Sequence, residues 1–212
     1  WGLAILNQQE WILRGELPVC STDSLPLEGR HNLLNCMAAM ALVEPWVEPV
    51  AAANYMRDFE GLAHRFEAVA ALAGVVFVND SKATNVGSTV AALNGLELKG
   101  NVILIAGGDT KGADLSPLAE YLVGRVKRIV TLGKDAPRVA AVADQCGIPH
   151  VLAATMEDAV AAAANAAAPG DLVLLSPACA SLDMFDNFQE RGDVFASAVR
   201  SLTGADFAAV QS

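Results

Sequence analysis

The chain has no apolar run of about 18 residues free of a charge or a breaker, so no segment is expected to span a membrane. It has no basic leader followed by an apolar stretch, and nothing in it signals export. Basic residues are few: 14 Lys and Arg stand against 24 Asp and Glu, a formal net charge of −10. Such a field repels phosphate backbones, so nucleic acid is not an expected partner, although a few local donors can still hold a small anion. Histidine is scarcer still, with three in the chain, and neither HExxH nor a paired CxxC occurs. No metal is therefore expected to be held by these residues. The four cysteines, Cys20, Cys36, Cys146 and Cys179, lack paired spacing and lie in apolar surroundings, which reads as reduced thiols in a cytoplasmic protein. The absence of G-x-S-x-G removes the commonest hydrolase signal, and neither G-x-x-x-x-G-K-[ST] nor G-x-G-x-x-G is present.

What the chain does have is 212 residues, 53% of them hydrophobic and 18% charged. That composition can bury a core and excludes disorder, collagen-like repeats and coiled coil. The length fits one large domain, or a domain plus a piece of another. The chain begins at Trp1 with WGLAIL, a strand already under way. A piece of a longer protein is expected, with some of its chemistry outside these residues.

Residues 1–60 read differently from the rest. WGLAIL, WILRG and LPVCS look like short strands separated by polar turns such as Asn7-Gln8-Gln9. Gly29-Arg30-His31-Asn32 opens an apolar helix that runs to about Val43 and stops at Glu44-Pro45, and a weaker helix covers about Val47–Phe59. This resembles the closing part of another domain, with a boundary near Glu60-Gly61. Beyond Phe66 the pattern becomes regular. GVVFVN (74–79), NVILIA (101–106), RIVTL (128–132), IPHVL (148–152) and DLVLLS (171–176) are apolar runs of strand length. Helical stripes alternate with them: Val86, Thr89, Val90 and Leu93; Leu115, Leu118, Ala119 and Leu122; Phe195, Ala198, Val199 and Leu202. Ser116-Pro117, Asp135 and Thr155 offer capping chemistry at helix starts, and Gly147 and Gly204 sit where helices should stop. Strands without alternation, interleaved with amphipathic helices, imply an α/β fold. It is a Rossmann-like, mainly parallel sheet of five or six strands flanked by helices, spanning 61–212 and preceded by the partial tail 1–60.

In an open α/β sheet, ligands bind beyond the carboxyl ends of the strands. The loops entering strands are bland: Glu97-Leu98-Lys99-Gly100, Gly124–Lys127 and Pro169-Gly170-Asp171. Three loops leaving strands are dense in glycine and polar groups: Asp80–Asn85, Gly107–Gly112 and Ser176–Ser181. In the first, Asp80 could accept from a ribose hydroxyl, Lys82 could face an anion and Thr84 could donate at a helix start; equally, Thr84 or Asn85 could simply cap the next helix. In the second, Lys111 offers a point charge for a carboxylate or phosphate, or a solvated lysine on a tight turn. In the third, small residues leave backbone N–H groups for a carboxylate or merely pack closely, and Cys179 reads as structural because no base lies near it in sequence. Arg65 at the boundary could clamp a nucleotide, beside a His64 that could be a hydrogen-bonded linker residue. Asn32 and Asn35 share a helix face with His31 and could read an adenine edge or act in ordinary capping.

Taken in order, GRHNLLN (29–35), AHRFE (63–67), NDSKATNVGST (79–89), GGDTKGADLSPL (107–118) and SPACASLDMFDNFQERGDVF (176–195) resemble the Mur ligases, and among them the branch that adds D-glutamate. The resemblance implies the end of a central ATP-binding domain followed by the carboxyl-terminal domain. The amino-terminal domain, the phosphate loop and the magnesium-binding acids would lie elsewhere. It implies an ATP- and Mg²⁺-dependent ligase joining D-glutamate to UDP-N-acetylmuramoyl-L-alanine through an acyl phosphate, in cytoplasmic peptidoglycan precursor synthesis, with this piece inactive alone. It further implies that Lys82, Lys111 and His64 serve the chemistry, and that Thr84, Lys111, Ser181 and Phe188 (through its backbone) hold D-glutamate. Asn32 and Asn35 match adenine contacts, and Arg65 and Asp80 match phosphate and ribose contacts. Two other readings stand beside it: a non-catalytic nucleotide- or amino-acid-binding module, and a Mur ligase that adds another amino acid.

Overall fold

The computed structural model describes residues 1–26, 30–59, 61–96 and 100–203. Gly29, Glu60, Glu97, Leu98, Lys99 and Gly204, along with the side chain of His31, lie outside the described residues. The chain divides into two compact units, Trp1–Gly61 and Leu62–Ser212.

In the first unit, β1 (Gly2–Leu6), β2 (Gln9–Arg14) and β3 (Leu17–Ser21) form an antiparallel meander. Asn7 and Gln8 both take positive φ, 51° and 68°, and close a two-residue hairpin whose last pair is Leu6 with Gln9. Helices α1 (Arg30–Val43) and α2 (Pro49–Arg57) follow, the second opening on a proline whose missing N–H would be unbonded there anyway. Their common core is Ile12, Val19, Cys20, Cys36, Met37, Met40, Ala52 and Ala53. Burial pushes the Cys20 and Cys36 thiols above their ordinary value, and both are free.

The second unit is a six-stranded mixed sheet in the order β4-β5-β9-β6-β7-β8. Its strands are β4 (Glu67–Leu72), β5 (Val75–Asn79), β6 (Val102–Gly107), β7 (Val126–Leu132), β8 (His150–Leu152) and β9 (Leu172–Leu175). All but β4 run parallel, as the unalternated apolar runs imply. Every residue of β6 is buried, with Val102, Leu104 and Ala106 on one face and Ile103 and Ile105 on the other. The first face is covered by α3 (Val86–Asn94), α4 (Leu118–Leu122) and α5 (Ala136–Gln145), through Leu93, Leu118, Leu122 and Val139. The second is covered by α6 (Met156–Ala166) and α7 (Phe188–Arg200), through Met156, Val160, Phe195 and Val199.

The sixth strand is β4, an antiparallel edge that no single run in the sequence marked; Ala73 and Gly74, both at positive φ, join it to β5 in a tight hairpin. Two local expectations need correction, both at helix starts. Asp135 stands at the start of α5 but makes no capping bond, because Thr110 takes its carboxylate. Ser116 bonds to Asp114 rather than capping α4, which is limited to five residues and leaves Leu115 buried ahead of it. Thr155 does cap α6, accepting from the Asp158 N–H at 3.1 Å, and Gly147 follows α5 with φ 67°.

Candidate functional site

The chain runs from β5 through α3 to β6 and leaves a slot between them that β9 later fills. β5, β9 and β6 are therefore parallel neighbours, and the loops 80–85, 176–181 and 107–112 leave the sheet side by side. The loops are stitched to one another. Asp80 N donates to Leu175 O at 2.8 Å, Gly107 N to Pro177 O at 3.0 Å, and Asp109 and Ala180 exchange backbone bonds of 3.0 and 2.9 Å.

At the β5 exit, Asn79 is fully buried and organises its surroundings. Its amide nitrogen meets Gly192 O at 3.2 Å and His64 Nδ1 at 3.1 Å, while its oxygen accepts from Ser81 N at 3.2 Å. His64 is a buried residue at φ 64°, with Nε2 3.8 Å from Asp193 and its ring against Gly192, where a Cβ would come within 2.2 Å of Nδ1. Asp80 accepts from Ser176 Oγ at 2.8 Å. Burial pushes its carboxyl up to about 6, against the opposing pull of Ser176, the Phe66 backbone and the neighbouring Arg65 charge. Lys82 N donates to His64 O at 3.0 Å, and its ammonium lies 3.9 Å above the centre of the Phe188 ring. The Thr84 N–H is taken by Lys82 O at 2.8 Å, and Asn85 rather than Thr84 caps α3, accepting from Ser88 N at 3.0 Å.

At the β6 exit the backbone is drawn in tightly. A Cβ on Gly107 would lie 2.0 Å from Leu132 O, and one on Gly108 would lie 2.2 Å from Ala180 O. The next residues form a turn in which Asp109 Oδ1 accepts from Lys111 N at 2.8 Å, with Lys111 at φ 51° and its side chain exposed. Lys134 pairs with Asp109 at 3.2 Å, and these contacts hold the Asp109 carboxyl below its ordinary value. Thr110 is fixed by Asp135 and also receives a bond from Arg138.

At the β9 exit, Ser176 N and Ala180 N donate to Ile105 O and Asp109 O. Two of the amides expected to face a ligand are thus bonded within the protein. Burial pushes the Cys179 thiol up to about 12, as befits a structural residue. Ser181 is buried and its carbonyl accepts from Met184 N and Phe185 N at 3.0 and 2.9 Å. Phe188 opens α7, and its carbonyl accepts from Ser81 Oγ at 2.8 Å. Arg191, almost wholly buried, donates to Ser81 Oγ at 3.0 Å, Ser81 O at 2.8 Å and Cys179 O at 3.1 Å. Burial lowers its pKa to about 10.

The structure therefore brings His64, Lys82 and Phe188 into mutual contact and sets Arg65 beside Asp80. Ser181 and Lys111 stand on the two loops that follow along the same rim. Asn32 and Asn35 lie on α1 of the first unit, the former partly buried and the latter exposed. Sequence reasoning missed Asn79, Ser176 and Arg191. Arg191 carried one signal: it falls four residues before Phe195 and eight before Val199, on the apolar stripe of α7. Among the described residues, no group of three or more His, Cys, Asp or Glu could hold a metal ion. No helix among them is long and apolar enough to cross a membrane.

Residues 64–179 match the family described as Mur ligase, glutamate ligase domain. A UDP-N-acetylmuramoylalanine–D-glutamate ligase of Shewanella oneidensis is 49% identical over 212 residues, covering 96% of this chain and 47% of the relative. The enzyme of the same name from Nitrosospira multiformis is 44% identical over 208 residues, covering 97% of this chain and 43% of the relative. The chain thus spans a little under half the length of the curated relatives it matches. Among solved structures, MurF from Acinetobacter baumannii superposes with a TM-score of 0.65 at 18% identity, over 94% of this chain and 44% of that one. A Mycobacterium tuberculosis folylpolyglutamate synthase complexed with ADP and AMPPCP superposes with a TM-score of 0.58 at 20% identity, over 85% and 41%. These structural likenesses concern the fold alone.

Proposed function

We propose a function on one premise: the chain belongs to the Mur ligase family. On this reading it is part of an ATP-dependent ligase that joins D-glutamate to UDP-N-acetylmuramoyl-L-alanine in the cytoplasm, a step of peptidoglycan precursor synthesis. The observation that carries the reading is the shared rim, where exits bearing Lys82, Lys111 and Ser181 adjoin one another in a chain 49% identical to a ligase of that name.

The chemistry asks for such a rim. A carboxylate is a poor acyl donor, so the γ-phosphoryl group of ATP is first transferred to it, leaving ADP and an acyl phosphate. The amino nitrogen of D-glutamate then attacks the acyl carbon and loses a proton, and the tetrahedral intermediate collapses with cleavage of the bond to phosphate. An amino acid with two carboxylates needs cations and N–H or O–H donors around it. Lys111, Thr84, Ser181 and the backbone at Phe188 would supply them. Lys82 would place a second positive charge nearby, with His64 behind it. Asp80 and Arg65 would meet the ribose and phosphates, and Asn32 and Asn35 the adenine. Among the described residues no group of three or more acidic, His or Cys side chains could hold the magnesium ion.

The test uses the longer protein that includes the upstream sequence. Phosphate release should require ATP, Mg²⁺ and D-glutamate, with L-alanine and diaminopimelate failing to replace the last. Removing a charge-assisted bond to a carboxylate removes roughly 1.5–3 kcal/mol. Lys111→Ala should therefore lower kcat/KM for D-glutamate by about 10- to 100-fold. An unchanged kcat/KM would count against its role.

A further inference from the structure

We propose that the aromatic face of Phe188 is a positioning element that holds the Lys82 ammonium at the rim without neutralising it, so that an acidic amino acid meets a fixed and fully available positive charge. The inference rests on the reading above and deepens it by assigning work to a side chain for which that reading used only the backbone.

The geometry is specific. Lys82 Nζ stands 3.9 Å from the Phe188 ring centre, well inside the distance at which a ring quadrupole attracts a cation. Both partners are anchored by their backbones. Ser81, the neighbour of Lys82, donates its hydroxyl to Phe188 O at 2.8 Å, and Lys82 N is bonded to His64 O at 3.0 Å. The ring itself is steadied edge-on by His64, the two ring centres standing 6.1 Å apart at an interplanar angle of 81°. Among the described residues, Lys82 and Lys111 form no ion pair with a carboxylate, whereas Lys127 and Lys134 each do, and of the two unpaired lysines only Lys82 lies over an aromatic ring. That contrast carries the argument. A lysine side chain has much rotamer entropy and wanders unless something holds its head. A carboxylate would hold it but cancel the charge that a ligand needs. An aromatic face holds it by a quadrupole and leaves the charge uncompensated.

The test replaces Phe188 in the longer, active protein with a series of progressively fluorinated phenylalanines. Fluorination keeps shape and apolarity but strips negative charge from the ring face. KM for D-glutamate should rise steadily along the series, by about five-fold at three fluorines, with kcat, KM for ATP and the thermal midpoint nearly constant. Phe188→Leu should show at least the same rise. In a Lys82→Met background, D-glutamate affinity measured by direct binding should not change along the series. A flat KM along the series, or an equal rise with and without Lys82, would overturn this inference alone. Phosphate release that ignored D-glutamate in the unsubstituted protein would overturn the functional reading and this inference with it.

Discussion

Arg191 offers a test in which the conservative replacement should be the worse one. Its guanidinium is buried with no ion pair among the described residues, Asp183 acting on it only at a distance, and makes three bonds, to Ser81 Oγ, Ser81 O and Cys179 O. Burying that charge is costly: the fall of its pKa to about 10 corresponds to about 3 kcal/mol at 1.36 kcal/mol per unit. Arg191→Met removes the charge and recovers about that much, but leaves two carbonyl oxygens without partners at about 1–3 kcal/mol each. The net loss is about 1 kcal/mol. Arg191→Lys keeps a charge that is hydrated more strongly than guanidinium and cannot fork to both Ser81 O and Cys179 O. It should lose about 3 kcal/mol.

For a unit of this size each kcal/mol moves the thermal midpoint by roughly 2–4 °C. Far-ultraviolet circular dichroism should therefore find Arg191→Lys about 6–12 °C below the parent and Arg191→Met about 2–4 °C below it. Urea unfolding at pH 7 should give the same order. A lysine variant within 2 °C of the parent, or clearly more stable than the methionine variant, would refute the account of a fork that ties two loops together.

Two further outcomes follow from the same rim. The Asp80 carboxyl is raised to about 6, so the folded state holds its proton more tightly than the unfolded chain does. The stability due to that group is complete below about pH 4 and is lost as pH rises through about 6, by roughly 3 kcal/mol. Against the parent, Asp80→Asn should gain about that amount in urea unfolding between pH 4 and pH 7.5, and a constant difference would exclude burial as the cause. Gly108→Ala puts a Cβ 2.2 Å from the backbone oxygen of Ala180 at a φ of 124°. It should cost about 3 kcal/mol, read as a fall in thermal midpoint of roughly 6–12 °C; an unchanged midpoint would mean the two loops are not locked together.

The parallel strands were legible because a strand buried on both faces must be apolar throughout, and Val102–Ala106 and Leu172–Leu175 are. The edge strand β4 was not. Glu67–Leu72 is alanine-rich and half-exposed, so it shows neither a continuous apolar run nor a clean alternation, and its Ala73-Gly74 turn lacks the usual Asn-Gly or Asp-Gly signal. Thr155 was legible as a cap because its partner is three residues away. Asp135 misled because its actual partner, Thr110, is 25 residues distant. Arg191 sits among Gln189 and Glu190 and reads as a solvated charge, since Ser81, which it ties down, is 110 positions away. Local chemistry is written in neighbouring letters; contacts between loops are written only in the order of the strands.

That order matters most at one place. Neighbouring strands lie about 4.8 Å apart, so the β5 and β6 exits would stand at roughly that distance if those strands paired directly. Residues 80–85 would then press against Gly107-Gly108 and leave no room for a ligand. Because β9 takes the slot between them, the separation doubles to roughly 10 Å, comparable with the length of an extended dicarboxylic amino acid. Between the two outer exits runs Ser176–Ser181, buried and mostly of small side chains, with Asp109 bonded to Ala180. On the proposed function, the small residues after β9 and the lysine-bearing loops on either side would be parts of one arrangement, the first keeping space between the outer loops and the second supplying charge. A bulky side chain at Ala178 or Ala180 should thus impair the rim even though neither residue carries any chemistry of its own.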